Sequence, residues 1–243
     1  MGVWSVLRTS FAELIRDPVL FLPKLASVTI WLIPYLLLLQ QARFDIARAQ
    51  ISSQLWLITL AIFALSPVWI AIESMYPVLV EQKRAGKRLD FGAAMGHVLG
   101  RFIYIFGLFL VVLAALIILT LPVSFLIAFG ATFGNVVALM VGVLLLLALL
   151  FAGSILLYFV PTVVILEKIG LIDAFKTGWS LSRRNFDLVF WLTLVSVFFF
   201  ILAFVAEGEL GAFGALGFVA GRYAGGIVSV YLYIVNPTAY LEV

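Results

Sequence analysis

Two ionisable side chains, Glu73 and Arg222, stand inside strongly apolar stretches of this chain. A charge at membrane depth is costly, so such a residue binds a ligand, relays a proton or completes a structural ion pair. Glu73 lies about two turns before Glu81, near enough to a helix end to reach water or to pair locally. Arg222 is the one basic residue well inside its apolar segment. It can snorkel outward, pair with Glu207 or Glu209, or meet Glu73 across a bundle. Three further carboxylates, Glu81, Glu167 and Glu242, each close an apolar stretch, where a negative charge opposes the helix dipole by a few tenths to about 1 kcal/mol. For Glu81 and Glu167 the expected partners are Lys83, Arg84, Lys168, Lys176 or Arg183, with plain solvation as the alternative.

Composition narrows the remaining chemistry. The absence of Cys excludes thiolate nucleophiles, disulfides and Cys-ligated metals, and a single His excludes a multi-His cage. That residue, His97, has no Ser and Asp arranged around it, and reads as solvated or in contact with headgroups. No phosphate-cradling glycine loop is present. No cofactor is therefore expected.

The elements that hold these residues follow from hydropathy. Of 243 residues 65% are hydrophobic and 11% charged, and the mean hydropathy is +1.24. A soluble domain has about 25% charged residues, so the chain is expected to be an all-α, polytopic membrane protein. Six stretches reach the roughly 20 apolar residues a spanning helix needs: Pro18 to Leu39, Leu55 to Val80, Phe102 to Phe129, Phe133 to Leu166, Phe186 to Ala206 and Leu210 to Val235. The third and fourth form one charge-free run, broken at Gly130-Ala-Thr-Phe-Gly134-Asn135, which predicts a helical hairpin. Basic residues divide 12 to 2 between the two sides, with Arg43 and Arg48 the minority. The positive-inside rule then predicts cytoplasmic N- and C-termini. The pI near 9.3 reads as topology, and no nucleic-acid partner is expected. The N-terminal residues match neither a secretory signal nor a myristoylation signal.

The even-numbered spans end alike, in Pro77-Val-Leu-Val-Glu81, Pro161-Thr-Val-Val-Ile-Leu-Glu167 and Pro237-Thr-Ala-Tyr-Leu-Glu242. Ahead of each odd-numbered span runs an amphipathic segment: Trp4, Leu7, Phe11, Leu14 and Ile15 share one face; Phe91, Met95, Val98, Leu99 and Phe102 another; Ile172, Phe175, Trp179 and Phe186 a third. Such helices lie in the headgroup plane. The expected architecture is one transmembrane domain, 1–243, of three pseudo-repeated hairpins (about 1–81, 82–167 and 168–243), each preceded by an interfacial elbow helix. Gly217, Gly221 and Gly225 give the sixth span a small-residue face, for packing within the chain or as a homo-oligomer seam, and these glycines also permit a bend.

The stretch Pro161 to Gly170, with Ala174, Trp179-Ser-Leu and Arg183-Arg-Asn185-Phe186, resembles the six-span membrane domain attached to some bacterial glycerophosphodiester phosphodiesterases and its stand-alone bacterial and archaeal relatives of unknown function. The Phe11 to Pro23 and Gly86 to Arg101 elbows and the span count fit that family over the whole chain. The resemblance implies a prokaryotic cell-membrane protein. In the fused relatives hydrolysis belongs to a separate soluble barrel, so no catalytic residue carries over.

The expected function is non-enzymatic, organising lipid or assisting a protein partner at the cytoplasmic leaflet. Lys83, Arg84, Arg101, Lys176, Arg183 and Arg184 are candidates for elbow ion pairs or anionic headgroup contacts, at about 1 kcal/mol each. The alternative is a small-solute or lipid transporter with a central site between the pseudo-repeats. A cavity at the membrane midplane lined by Glu73 and Arg222 would favour transport, and a dry bundle with headgroups at the elbows would oppose it. An intramembrane enzyme ranks last, for want of a nucleophile, base or metal cluster.

Overall fold

The computed structural model describes residues 2–41 and 51–243, and the side chains of residues 2–34 and 60–243. Arg43 and Arg48 lie outside the described residues. The protein is all-helical, 88% helix, with no strand among the described residues. In chain order the helices are α1 (Val3–Arg16), α2 (Leu22–Gln41), α3 (Ile51–Glu73), α4 (Met75–Arg84), α5 (Phe91–Gly100), α6 (Phe102–Thr132), α7 (Val136–Leu156), α8 (Val160–Leu166), α9 (Leu171–Arg184), α10 (Phe186–Gly211) and α11 (Ala215–Tyr240). Among the described residues, five segments are long and apolar enough to cross a membrane: Leu60–Arg84, Phe102–Thr132, Val136–Leu166, Phe186–Gly211 and Ala215–Tyr240. A sixth counts if Val3–Arg16 and Pro18–Pro34, bent by 99°, form one span. That bend is made by a 3-10 turn at Pro18–Phe21, with Pro18 in the first turn, where its missing N–H costs nothing.

Contacts gather the chain into two compact units, one of 1–102 with 194–242 and another of 103–193; α10 runs from the second into the first. In the first unit α2 packs on α3 and α11, α4 packs on α5 and α11, and α1 packs on α11. Its core is the proline-bearing ends of two spans: Met75 to Val80 of α4, and Val235, Pro237, Thr238 and Ala239 of α11, are all buried. In the second unit α9 packs on α8 and α7, and the buried residues include Val160 and Thr162 to Ile165 of α8. A Cβ on Gly178 would stand 2.7 Å from Val160 Cα, so only glycine lets α9 approach α8 this closely. Thus Pro77, Pro161 and Pro237 each sit in a buried helical segment against which an amphipathic helix packs: α5, α9 and α1 respectively.

Several boundaries differ from the expected ones. The α6–α7 turn is 133–135 rather than beginning at Gly130, because Gly134 takes a positive φ of 64° and Asn135 caps α7 through Ala138 N–H at 3.1 Å. Gly130 instead stays helical and makes room for α7, a Cβ there standing 2.8 Å from Leu139 Cα. The second and fourth spans are broken, at Ser74 and over 157–159. The sixth is one unbroken helix despite its glycines and Pro237. Glu207 and Glu209, which fall between the fifth and sixth expected spans, lie within the end of α10.

Candidate functional site

Glu73 is the last residue of α3, at the break before α4, so its carboxylate leaves the helix surface toward α2 and α11. It is 8% exposed. One oxygen, Oε1, accepts from the Lys24 ammonium and from Ser27 Oγ at 2.7 Å. The other, Oε2, accepts from the Tyr233 hydroxyl at 2.5 Å. Lys24 and Ser27 are three apart on α2, which puts both on one helical face. The Lys24 ammonium also lies 4.6 Å from the centre of the Tyr233 ring. Tyr76 of α4 stacks on Tyr233 with ring centres 5.3 Å apart; its hydroxyl donates to Leu20 C=O at 3.0 Å and accepts from Lys24 N–H at 3.1 Å. A buried carboxylate so surrounded has the donors that a desolvated charge requires.

Eleven residues earlier on α11, about 16 Å along its axis, Arg222 Nη1 lies 3.4 Å from Glu207 Oε2 of α10. The guanidinium sits over the Phe218 ring at 5.3 Å. The small-residue face explains how Glu207 fits. A Cβ on Gly221 would be 3.0 Å from Glu207 Cα, one on Gly225 3.0 Å from Glu207 Oε1, and one on Gly217 2.9 Å from Phe213 Cβ. These glycines are therefore packed within the chain, against the end of α10 and its turn.

Between the two charge pairs lies a cleft of about 410 Å³, lined by residues of α2, α3, α10 and α11. Glu73, Lys24 and Tyr233 line it, as do Arg222 and Glu207; Trp31, Trp69, Phe200 and Phe204 contribute apolar wall. Ligand sites of this size class are mostly apolar with a few placed polar groups. Glu73 and Arg222 thus share a cavity without pairing with each other. Lys24 and Tyr233, which complete the site, were missed from sequence. The signal for Lys24 is a cation inside the apolar stretch Pro18 to Leu39.

The elbow residues fall into two groups. Arg84, at the end of α4, reaches Glu242 at 2.7 Å and Glu13 of α1 at 3.4 Å, while Lys83 pairs with Asp17. The expected pairing of Glu81 with Lys83 or Arg84 is not made: Glu81 is exposed and has no ion pair among the described residues. The reason is position, since α4 carries both cations toward α1 and the end of α11, where three other carboxylates converge. Burial raises the Glu13 carboxyl above its ordinary value, although Arg84 and Lys83 pull it down. In the second unit Glu167, Lys176, Arg183 and Arg184 are exposed. Arg101 is half-buried at the C-terminus of α5. No group of three or more His, Asp or Glu suited to a metal occurs among the described residues.

Fold and cleft together define an all-helical protein with five or six helices able to cross a membrane. No known family model matches the chain, nor does any curated protein or solved structure.

Proposed function

We propose that this is a non-enzymatic, multi-pass membrane protein that binds an amphipathic ligand, a membrane lipid or a lipid-like solute, in the cleft of its first unit. One observation carries the reading: a cleft of about 410 Å³ whose wall is part aromatic and part polar, with a charge pair toward each end, Lys24–Glu73 and Arg222–Glu207. Aromatic walls suit acyl chains, and the terminal charges suit a polar headgroup. In this reading α1, α5 and α9 are interfacial elbows, and the chain is three pseudo-repeated hairpins in a prokaryotic cell membrane with both termini cytoplasmic. The 12 to 2 bias of basic residues supports the orientation. The packing of each elbow on a proline-bearing span end supports the repeat. The family resemblance rests on its quoted motifs. The glycine face serves packing within the chain, and a protein partner or homo-oligomer would use other surfaces.

Transport is the second reading, favoured by the placement of Glu73 and Arg222 on one cavity. Both are tested by filling the cleft with Ser229→Trp, since Ser229 lines it. Native mass spectrometry of the wild type in mild detergent should show a retained amphiphile that this variant loses while keeping its thermal stability. An unchanged lipid complement, or none in the wild type, sinks the ligand reading. Proteoliposomes that redistribute a fluorescent phospholipid faster with wild type than with Ser229→Trp would favour transport over holding.

A further inference from the structure

Helix α1 has three distinct faces. At about 100° per residue, Trp4, Phe11 and Ile15 fall within about 40° of one another, and they are 83%, 56% and 65% exposed. Val6, Leu7, Ser10 and Leu14 are buried against the rest of the first unit. The arc between holds Arg8, Thr9, Ala12, Glu13 and Arg16, which with Lys83 of α4 line a second cavity of about 400 Å³. Arg8 and Arg16 are exposed and have no ion pair among the described residues, whereas Glu13 is held by Arg84 and Lys83 by Asp17. The helix is fixed in this orientation by those pairs and by the Tyr231 hydroxyl, which donates to Leu7 C=O at 3.0 Å. A basic pocket therefore adjoins an exposed apolar stripe on the same helix.

We propose that this pocket holds the phosphate of an anionic phospholipid, Arg8 and Arg16 donating to its oxygens, while the acyl chains run along Trp4, Phe11 and Ile15. Arginine suits phosphate because its planar fork donates two parallel hydrogen bonds. The Thr9 hydroxyl supplies a neutral donor. The adjoining stripe is what selects a lipid over free phosphate, since a soluble anion has no use for three exposed apolar side chains. The inference rests on reading α1 as an interfacial helix of a membrane protein, but not on a ligand in the cleft.

The test uses the full chain in non-ionic detergent, in the Ser229→Trp background so that the cleft contributes nothing. Dioleoyl-phosphatidylglycerol, dioleoyl-phosphatidylcholine and inorganic phosphate are titrated separately by native mass spectrometry. Phosphatidylglycerol should bind in preference to phosphatidylcholine. Arg8→Gln should weaken it about fivefold and the pair Arg8→Gln with Arg16→Gln about thirtyfold, on the usual strength of a basic residue at an anionic surface. The exposed pair Lys87→Gln with Arg88→Gln, the same change of charge elsewhere, should leave it unaltered. Equal loss in both double variants, or equal binding of the two lipids, overturns the site. Phosphate binding as tightly as the lipid, with no effect of Phe11→Ala and Ile15→Ala on the lipid, overturns the lipid assignment.

Discussion

The span Leu60–Arg84 in the first unit has 56% of its apolar window buried, whereas α6 and the Val136–Leu166 span in the second have 11% and 6%. Mean hydropathy runs the other way, 1.5 for the first against 3.1 and 2.9 for the others. The two trends have one cause. A helix face left to lipid has no partner for a polar group and must be apolar all round, while a helix enclosed by protein can carry Glu73 because Lys24, Ser27 and Tyr233 satisfy it. Least hydropathic of all the candidate spans is Ala215–Tyr240, at 1.4, which carries Arg222 and Tyr233. In this chain the two least hydropathic spans, Leu60–Arg84 and Ala215–Tyr240, carry the charges and the tyrosine that line the cleft.

The sharpest way to break that comparison is to remove Glu73. Glu73→Ala leaves the largely buried Lys24 ammonium without its anion, and losing one partner of a fully buried pair costs about 3–5 kcal/mol, an upper bound for a pair that lines a cleft. Thermal unfolding in detergent should show a large loss of stability. Replacing both partners, Lys24→Met with Glu73→Leu, should recover most of it, since an apolar pair of similar volume is often tolerated. Lys176→Ala, at an exposed position of α9, should stay within about 0.5 kcal/mol of wild type. If Glu73→Ala is as stable as the Lys176 variant, the buried network contributes nothing and the contrast between the units fails.

Helix content and most span positions were legible because they depend on hydropathy summed over some twenty residues, which no single contact can reverse. Pairing was not. Glu73 and Arg222 were visible as charges in apolar surroundings, but nothing in their spacing connects position 73 to 24 or 233, or 222 to 207; those depend on how α2, α3, α10 and α11 pack. The same limit explains Glu81. Its neighbours Lys83 and Arg84 looked like its partners along the chain, yet Glu13, Asp17 and Glu242, distant in sequence, lie where α4 directs them. Boundaries failed where one residue decides: Gly134 with its positive φ set the α6–α7 turn, while Gly130, equally turn-like in sequence, served close packing instead.

Cavity-forming substitutions sharpen the comparison with no charge involved. Ile234 in the first unit is fully buried, and Leu144 of α7 is 62% exposed. Ile234→Ala should cost about 2–5 kcal/mol through lost packing and a residual void. Leu144→Ala removes a side chain that is already mostly exposed, so its cost should stay within about 0.5 kcal/mol. Melting temperatures of the two variants in the same detergent make the measurement. Equal losses would mean that α7 is enclosed by a second protein surface in the folded protein.

The smallest effect concerns Glu13, whose carboxyl is raised from 4.5 by burial against the opposing pull of Arg84. A raised acid binds its proton more tightly in the folded state than in the unfolded one. Its contribution is therefore fully present below pH 4.5 and is lost as pH rises through the higher folded value. Glu13→Gln cannot ionise and lacks this slope. Melting curves of wild type and Glu13→Gln, taken from pH 4.5 to 7.5, should converge at the acid end and separate toward neutrality, with the variant the more stable. Parallel curves would mean that Arg84 compensates the carboxylate in full.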